Sequence, residues 1–275
     1  MNFHFLFPAS ALNPRMIDEA FQDEAITLKQ AGFGTSVIDD QGFIRPKPEP
    51  GATCVYRGWM LTPEEYGTLH RRVVSYGVEM LISPEQYLVA HWLPNWYPLL
   101  KQWTPETVIV PFDNNEDVDL VGTCRNIGWE KFILKDYVKS LKTAGGSVAT
   151  SPEQVPEIVD NMRKYRGTIE GGVCIRRWEE FLKRSEIRYF IINKRFYGME
   201  NLFDLRAMSI LDRIKDIVPS PFYSVDIVQR DDGEFRIVEI GDGQVSDLVG
   251  WTPERFAAVW KEVANTQRVQ NAEAE

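Results

Sequence analysis

The sequence predicts a mixed α/β protein, with an open α/β lobe first and an α+β lobe of antiparallel strands after it. Over roughly the first hundred residues, short apolar runs alternate with helix-like segments, the pattern typical of parallel sheets covered by helices. In the second half, apolar runs flank an Asp-Gly turn, which favours antiparallel pairing. The 275 residues are 44% hydrophobic, which is enough to bury two compact cores.

The first lobe is predicted to begin with an apolar strand at residues 3–7. Apolar residues at helical spacing then predict a helix over residues 16–31, with Gly32 as its stop. Two later segments, at Thr62 and Ser83, each open with a hydroxyl, a proline and a glutamate, as helices commonly do. Further short strands are predicted at residues 35–38, 53–56 and 80–82.

The second lobe is predicted to differ because its apolar runs alternate with polar residues and meet at turns. Its strands are predicted at residues 107–111, 131–135, 173–175, 187–192, 223–228 and 235–240. The change of pattern predicts a first domain over residues 1–108 and a second over residues 109–264. Residues 265–275 are polar and lack an apolar face, so we predict a disordered tail there.

The charge and cysteine content narrow the functional classes. The net charge is −9 without a long block of Lys or Arg, which argues against a nucleic acid partner. Cys54, Cys124 and Cys174 are widely spaced, which indicates buried thiols rather than disulfides or zinc ligands. The apolar start is short and lacks a basic segment, and no apolar run approaches the roughly 20 residues of a membrane span. We therefore expect a soluble, cytoplasmic protein without a membrane partner, and leave its oligomeric state open.

Three carboxylates within residues 222–248 predict a metal site. Asp226 and Glu239 each interrupt an apolar strand, and Asp242 follows in a Gly-Asp-Gly loop. Mg²⁺ prefers oxygen ligands and commonly bridges one or two carboxylates to phosphates. A solvated acidic hairpin is the alternative, but an unpaired buried carboxylate is costly, which favours a nearby cation.

Basic and glycine residues follow one of the predicted strands. Lys135 ends that strand, where its charge can project into a cleft and suit a phosphate. Lys139 and the segment Gly145-Gly146-Ser147 come next, and glycines let backbone N–H groups approach anionic oxygens closely. The spacing differs from that of a P-loop, and a solvated surface lysine is the alternative for Lys135.

Charged residues also flank the next two predicted strands. Arg176, Arg177 and Trp178 follow one strand. Glu186 and Arg188 lie two residues apart at the start of the other, and side chains two apart in a strand share a face. Such a pair could bind a ribose hydroxyl and a developing negative charge, respectively. An exposed salt bridge, which contributes little to stability, is the alternative.

Arg57 ends the predicted strand at residues 53–56 in the first lobe. Ligands of open α/β sheets gather at the carboxyl ends of strands, so Arg57 is a candidate contact for an anionic co-substrate. A structural role fits the sequence equally well. The three histidines are scattered along the chain, so the sequence gives no support for a histidine metal cluster.

Taken in chain order, these residues resemble the ATP-grasp superfamily. Its order and spacing are matched by Lys135, the Gly-Gly loop, Arg176 to Trp178, Glu186-x-Arg188, Asp226 and Glu239-x-x-Asp242. The segments LKDYVKS, IEGGVCIRR and VEIGDGQVS look most like a divergent bacterial and phage clade of that superfamily. LNPR at 12–15 and YRGWMLTPEEY at 56–66 extend the resemblance over nearly the whole chain. The motifs are individually short but jointly specific.

The resemblance implies an N-terminal Rossmann-like pre-ATP-grasp lobe followed by an ATP-grasp fold, with ATP and Mg²⁺ as cofactors. It implies that Lys135 and Lys139 bind the ATP phosphates and that residues 145–147 form the loop closing over them. Residues 176–178 resemble the hinge whose backbone meets adenine, and Glu186 resembles the ribose-binding acid. The implied Mg²⁺ ligands are Asp226, Glu239 and Asp242.

The sequence departs from the superfamily pattern in one motif. The usual final motif is Glu-x-Asn, but here the position two after the glutamate is Gly241. Asp242 or Gln244 must therefore supply the third ligand, and Gln244 is also a candidate substrate contact. An earlier family lysine has no obvious counterpart, and Arg125 or Lys101 is its candidate replacement.

The implied activity is that of an ADP-forming ligase. A carboxylate attacks the γ-phosphoryl group of ATP, and an amine or similar nucleophile then displaces phosphate from the acyl phosphate. Lys135 and Arg188 would offset the charge, because phosphoryl transfer depends mainly on positioning and electrostatics. The expected substrates are small-molecule or peptide carboxylates and amines. The alternatives are an ATP-grasp phosphotransferase, a nucleotide-binding regulatory module without turnover and, more weakly, nucleic-acid end joining.

Overall fold

The chain forms two compact units, each assembled from segments that are distant in sequence. The computed structural model describes residues 2–112, 118–138, 146–167, 169–199 and 205–274, without the side chains of 165–166, 205–206 and 270–274. Unit 1 comprises Met1–Ala90, Ile187–Asp226 and Gly241–Glu275. Unit 2 comprises His91–Glu186 and Ile227–Ile240. The predicted division at residue 108 follows chain order, whereas these units interleave segments of the two predicted domains.

Strands and helices mix throughout the described chain, as the fold class predicted. The strands are β1 (Phe3–Ser10), β2 (Asn13–Ile17), β3 (Gly34–Ile38), β4 (Ile44–Arg45), β5 (Thr53–Tyr56), β6 (Glu79–Met80), β7 (Thr107–Pro111), β8 (Phe132–Asp136), β9 (Val148–Ala149), β10 (Gly172–Arg177), β11 (Ile187–Ile192), β12 (Arg195–Tyr197), β13 (Phe222–Gln229) and β14 (Phe235–Asp242). The α-helices are α1 (Gln22–Gln30), α2 (Pro63–Val74), α3 (Pro84–His91), α4 (Leu93–Leu100), α5 (Leu120–Ile127), α6 (Val155–Arg166), α7 (Leu205–Ile214) and α8 (Pro253–Ala274).

Unit 1 contains a largely parallel sheet in the order β4-β3-β1-β5-β6, with β2 paired to β1. The central strand β1 runs parallel to both β3 and β5, so the predicted parallel pairing is confirmed. Phe3, Phe5 and Phe7 on β1 are all buried, as expected of a strand covered on both faces. Their rings join a core that includes Phe256 and Trp260 of α8.

The helix predicted over residues 16–31 starts later than the sequence pattern suggested. Residues Asn13–Ile17 instead form β2, which pairs antiparallel with the end of β1. The Asp18 side chain accepts a hydrogen bond from Ala20 N at 3.0 Å and caps a short 3₁₀ turn, after which α1 begins. The helical spacing of Met16 is therefore coincidental, because backbone pairing with β1 decides its conformation.

Unit 2 contains an antiparallel sheet in the order β7-β10-β8-β9. The central strand β10 pairs antiparallel with β7 and with β8, which confirms the predicted arrangement. This register places Cys174 of β10 opposite Lys135 of β8. A separate core formed by β8, β10, α5 and α6 includes Leu134, Val173 and Val159.

A third sheet has the order β12-β11-β13-β14. The chain leaves unit 1 along β13 after Asp226 and returns to it along β14 at Gly241. A turn at residues 231–233 joins these strands, and Gly233 adopts the positive φ of 88° that this turn requires.

Helix α8 contradicts the disordered tail predicted at residues 265–275, because it continues to Ala274. Its earlier residues pack into the unit 1 core, and good helix formers such as Ala, Gln and Glu allow the helix to propagate beyond that contact. None of the helices in the described ranges is long and apolar enough to traverse a bilayer.

Candidate active site

Lys135 and Glu239 form the electrostatic centre of unit 2. Lys135 lies near the end of β8, and its side chain is 7% exposed. Its Nζ lies 3.9 Å from Oε2 of Glu239, whose side chain is 33% exposed. A buried ammonium group therefore faces a carboxylate that reaches solvent, and a ligand of mixed charge could bind to both.

Arg176 fixes the backbone that leads to Glu239. Its guanidinium donates to Val238 O at 2.6 Å, to Ile237 O at 3.2 Å and to the Thr104 hydroxyl. The guanidinium carbon lies 5.7 Å from the centre of the Trp96 ring. Burial lowers the pKa of Arg176 to about 10, opposed first by the charge of Glu239. The side chain at this predicted hinge position is thus internal.

The next two hinge residues are placed differently. Arg177 N donates to Glu106 O at 2.8 Å, and Trp178 N donates to Lys131 O at 3.1 Å. The Arg177 side chain is exposed, whereas the half-buried Trp178 ring is covered by Lys131 Nζ at 3.7 Å from its centre. The geometry defines a firm strand end, and the adenine contact stays a prediction.

The predicted phosphate loop is described only in its second half. Lys139 and Gly145 lie outside the described residues. Gly146 has a φ of 63°, which suits glycine, and Ser147 is buried with its carbonyl accepting from Leu134 N at 2.8 Å. Glu186 lies immediately before β11, at the end of a segment of unit 2. The roles predicted for these residues stay predictions.

Arg188 and Asp226 form a bidentate ion pair in unit 1. Arg188 Nε donates to Asp226 Oδ1 at 2.7 Å, and Nη2 donates to Oδ2 at 2.5 Å. Arg188 Nη1 also donates to Asp247 O at 2.8 Å. Two parallel charge-assisted bonds are strong and directional, so each side chain orients the other. In this conformation an arginine neutralises the Asp226 carboxylate.

The Asp242 carboxylate is fully enclosed in unit 1, with 0% of the residue exposed. Its Oδ1 accepts from Gln244 N at 3.0 Å and from Gln244 Nε2 at 3.3 Å. Within the described residues, its Oδ2 has no hydrogen-bond partner. Burial raises the pKa of Asp242 to about 7, against the opposing effects of the Gln244 hydrogen bonds and the Arg57 charge. A buried carboxylate oxygen of this kind requires a proton or a cation.

Packing explains why glycine replaces the usual asparagine at position 241. A Cβ built on Gly241 would lie 2.8 Å from Ser246 Oγ and 3.0 Å from Ser224 Oγ. These two hydroxyls are themselves hydrogen bonded at 2.7 Å. A larger residue would have to displace this pair, so a side-chain ligand at position 241 does not fit the loop.

Arg57 and Gln244, both predicted substrate contacts, are buried in unit 1. Arg57 is 2% exposed and donates to both carboxylate oxygens of Glu24, at 2.6 and 2.9 Å. It also donates to the carbonyls of Gly243 and, at 3.0 Å, Ser246. This placement favours the structural alternative for Arg57. Gln244 is 0% exposed, with its amide hydrogen bonded inside the unit, and its substrate role stays a prediction.

Two acids that the sequence analysis missed organise the buried arginines. Glu24 lies four residues before Leu28 on the buried face of α1, a spacing that could have identified it. Glu179 accepts two hydrogen bonds from Arg236, at 2.7 and 2.8 Å. Sequence spacing gives no signal for that second pair, because its members lie 57 residues apart.

The described residues fit a magnesium–nucleotide complex in part. Among them, no group of three or more His, Cys, Asp or Glu residues is placed to hold a metal. Mg²⁺ usually needs only one or two carboxylates besides substrate phosphates and water. Glu239 beside Lys135, and the unpartnered Oδ2 of Asp242, supply oxygen donors of this kind. The three-carboxylate set stays a prediction.

Comparison with protein families identifies the chain. A family model described as an ATP-grasp domain, family 3 of its clade, matches residues 126–263, which is half of the chain. The chain belongs to this family. The ATP-grasp resemblance drawn from the sequence motifs is therefore confirmed, and no curated protein matches the chain.

Solved structures extend the ATP-grasp fold over nearly the whole chain. The D-cycloserine synthetase DcsG is 14% identical with a TM-score of 0.64, and the match covers 94% of this chain and 98% of that one. A RimK domain ATP-grasp protein from Sphaerobacter thermophilus DSM 20745 is 12% identical with a TM-score of 0.60, covering 93% and 98%. The ATP-grasp ligase PsnB, solved with the precursor peptide PsnA2 and AMPPNP, is 11% identical with a TM-score of 0.59, covering 94% and 95%. At these identities the likeness establishes the fold.

Proposed function

We propose that this ATP-grasp protein is an ATP- and Mg²⁺-dependent, ADP-forming ligase that joins a carboxylate to an amine or similar nucleophile. The observation that carries the proposal is the buried Lys135 ammonium beside the partly exposed Glu239 carboxylate, within the segment that matches the family. One group suits a phosphate, and the other suits a cation that accompanies the phosphate.

The proposed reaction has two steps. A substrate carboxylate oxygen attacks the γ-phosphorus of ATP, the bond to the β,γ-bridging oxygen breaks, and ADP leaves with that electron pair. The amine then attacks the carbonyl carbon of the acyl phosphate, loses a proton and displaces inorganic phosphate. The protein has little covalent work in either step, so its side chains act by positioning and by offsetting charge.

Each charged residue has a proposed role in that scheme. Lys135 offsets the negative charge of the ATP phosphates, and its burial strengthens the interaction by excluding water. Glu239, with Asp226 and Asp242 as the further candidates, would hold Mg²⁺, which bridges phosphate oxygens when bound. Arg188 stabilises charge on the transferring phosphoryl group or on the tetrahedral intermediate, and Asp226 orients it.

The remaining nucleotide contacts are proposed from the family pattern. The backbone of residues 176–178 would meet adenine, and Glu186 would bind the ribose. Lys139 and the segment 145–147 would close over the phosphates. For the acceptor, PsnB shows that a protein of this fold can be solved with a precursor peptide, so peptides are candidate substrates beside small molecules.

Substitution of the two central residues tests the proposal. Glu239→Gln removes a ligand charge and should abolish ADP formation while the thermal melting curve stays that of a folded protein. Lys135→Ala should weaken ADP binding measured by calorimetry. Glu153→Gln and Lys194→Ala are matched controls, because both side chains are exposed and lie outside the proposed site. Normal turnover by Glu239→Gln, or unchanged ADP affinity in Lys135→Ala, contradicts these assignments.

A nucleotide-binding module without turnover is the second candidate. Two observations favour it: Arg188 neutralises Asp226, and Asp242 is enclosed. This candidate predicts tight binding of Mg-ATP without release of ADP in the presence of carboxylates and amines. Detection of ADP, phosphate and a new amide by mass spectrometry would reject it in favour of the ligase.

A further inference from the structure

We propose that Gln244 is a positioning residue that aims the Asp242 carboxylate at a divalent cation, and that Tyr66 sets the orientation of the Gln244 amide. The inference rests on the Mg²⁺-dependent function proposed above and deepens it. It assigns metal-site roles to two residues outside the carboxylate set. All the contacts that carry it lie within unit 1.

The direction of each hydrogen bond fixes the Gln244 amide. Ile82 O can only accept, so the Tyr66 hydroxyl donates to it, at 2.9 Å. The Tyr66 oxygen therefore accepts from Gln244 Nε2, at 2.8 Å. On the other side of the amide, Tyr56 N can only donate, and it donates to Gln244 Oε1 at 3.1 Å. A flipped amide would oppose two donors and leave Tyr66 without its bond.

The fixed amide then determines what Asp242 can do. The second N–H of Gln244 Nε2 is directed to Asp242 Oδ1, 3.3 Å away, and the Gln244 backbone N–H reaches the same oxygen at 3.0 Å. Both donors act on Oδ1, which leaves Oδ2 without a partner in the described part of the chain. The carboxylate is thus held with one oxygen committed and one oxygen available to a cation.

Partners that orient a ligating carboxylate usually contribute strongly to metal affinity. Loss of such a partner typically weakens metal binding about 10–100-fold. A merely structural role for Gln244 predicts something else, since its side chain also connects the loop after β14 to the end of β5. In that case substitutions would lower stability and leave the metal affinity of the folded protein unchanged.

Tyr66 and Tyr87 provide a matched pair of variants. Their rings stack at 4.1 Å with an interplanar angle of 8°, and both are fully buried. The Tyr87 hydroxyl donates to Leu61 O at 2.7 Å and accepts from Leu61 N at 3.1 Å, whereas the Tyr66 hydroxyl serves Ile82 and Gln244. Each Tyr→Phe change therefore removes one donated and one accepted bond from the same core, but only Tyr66→Phe affects Gln244.

The experiment measures Mn²⁺ binding to the full chain in the presence of ADP, with free Mn²⁺ counted by electron paramagnetic resonance. Tyr66→Phe should weaken Mn²⁺ binding about fivefold, the equivalent of one hydrogen bond. Gln244→Met should weaken it at least about tenfold. Tyr87→Phe should bind Mn²⁺ as the unmodified protein does. Circular dichroism confirms folding, and Tyr66→Phe decides the matter alone if Gln244→Met does not fold.

The outcomes separate this inference from the proposed function. If the unmodified protein binds Mn²⁺ with ADP but Tyr66→Phe and Tyr87→Phe behave alike, Gln244 is structural and the inference is overturned, while the proposed function stands. If the unmodified protein binds no Mn²⁺ with or without ADP, the proposed function is overturned and the inference with it.

Discussion

Arg57 in unit 1 and Arg176 in unit 2 are both buried, yet their charges are accommodated in different ways. Arg57 makes two charge-assisted bonds to the carboxylate of Glu24. Arg176 donates to two backbone carbonyls and to the Thr104 hydroxyl, and its Nε has no partner within the described residues. One charge is neutralised by direct contact, and the other is solvated by neutral acceptors.

This difference separates a structural arginine from one that contributes to the electrostatics of a site. The Arg57–Glu24 pair carries no net charge and connects α1, β5 and the loop after β14. Arg176 keeps its charge, and Glu239 is the acid whose charge acts on it most. Together with Lys135, it makes the Glu239 end of unit 2 electropositive, which favours an anionic ligand.

The comparison predicts its largest effect for Glu24→Gln. That change leaves the Arg57 charge buried without a carboxylate, and removal of one partner of a buried pair typically costs about 3–5 kcal/mol. The free energy of unfolding should be measured by urea denaturation. Glu19→Gln is the control, because Glu19 is exposed in the preceding 3₁₀ turn. A loss no larger than that of the control would mean that Glu24 does not neutralise Arg57.

Arg176→Met should cost less, about 2–3 kcal/mol. It leaves carbonyls and one hydroxyl unsatisfied, but it strands no buried charge and removes the cost of burying the guanidinium. The same urea titration gives the value, and the ranking below Glu24→Gln is the sharper test. A reversed ranking would show that neutral acceptors hold a buried cation more strongly than a carboxylate does here.

Local pattern explains which of these features could be predicted from the sequence. Lys135 and Glu239 were predicted correctly to lie in strands, because apolar alternation identifies β8 and β14. The partner of Arg57 could not be predicted, since Glu24 lies 33 residues away on a helix that packs only in the folded unit. The inward direction of Arg176 depends on the carbonyls of β14, more than 60 residues later.

The third way to bury a base is to release its proton, and His4 is the example. His4 is 8% exposed and hydrogen bonded to Ser36 Oγ at 2.6 Å, and burial lowers its pKa to about 4. Because the folded pKa lies below the unfolded value of 6.5, protonation favours the unfolded chain. The contribution is complete above about pH 6.5 and is lost as the pH falls towards 4.

His4→Gln isolates this contribution, since glutamine can keep a bond to Ser36 but does not titrate. Between pH 7 and pH 5, the unmodified protein should lose roughly 1–2 kcal/mol more stability than the variant, after allowance for partial solvent screening. Urea denaturation at the two pH values measures the difference. Parallel losses in both proteins would show that His4 does not differ in protonation between the folded and unfolded states.

The smallest effect is expected for an arginine whose ion pair is as short as that of Arg57 but lies in solvent. Arg125 Nη2 is 3.0 Å from Glu153 Oε1, and the two side chains are 61% and 62% exposed. Water screens this pair and competes for its hydrogen bonds, so Arg125→Gln should leave the urea midpoint unchanged within error. A shift comparable to that of Arg176→Met would mean that ion-pair distance, rather than burial, decides what an arginine contributes in this protein.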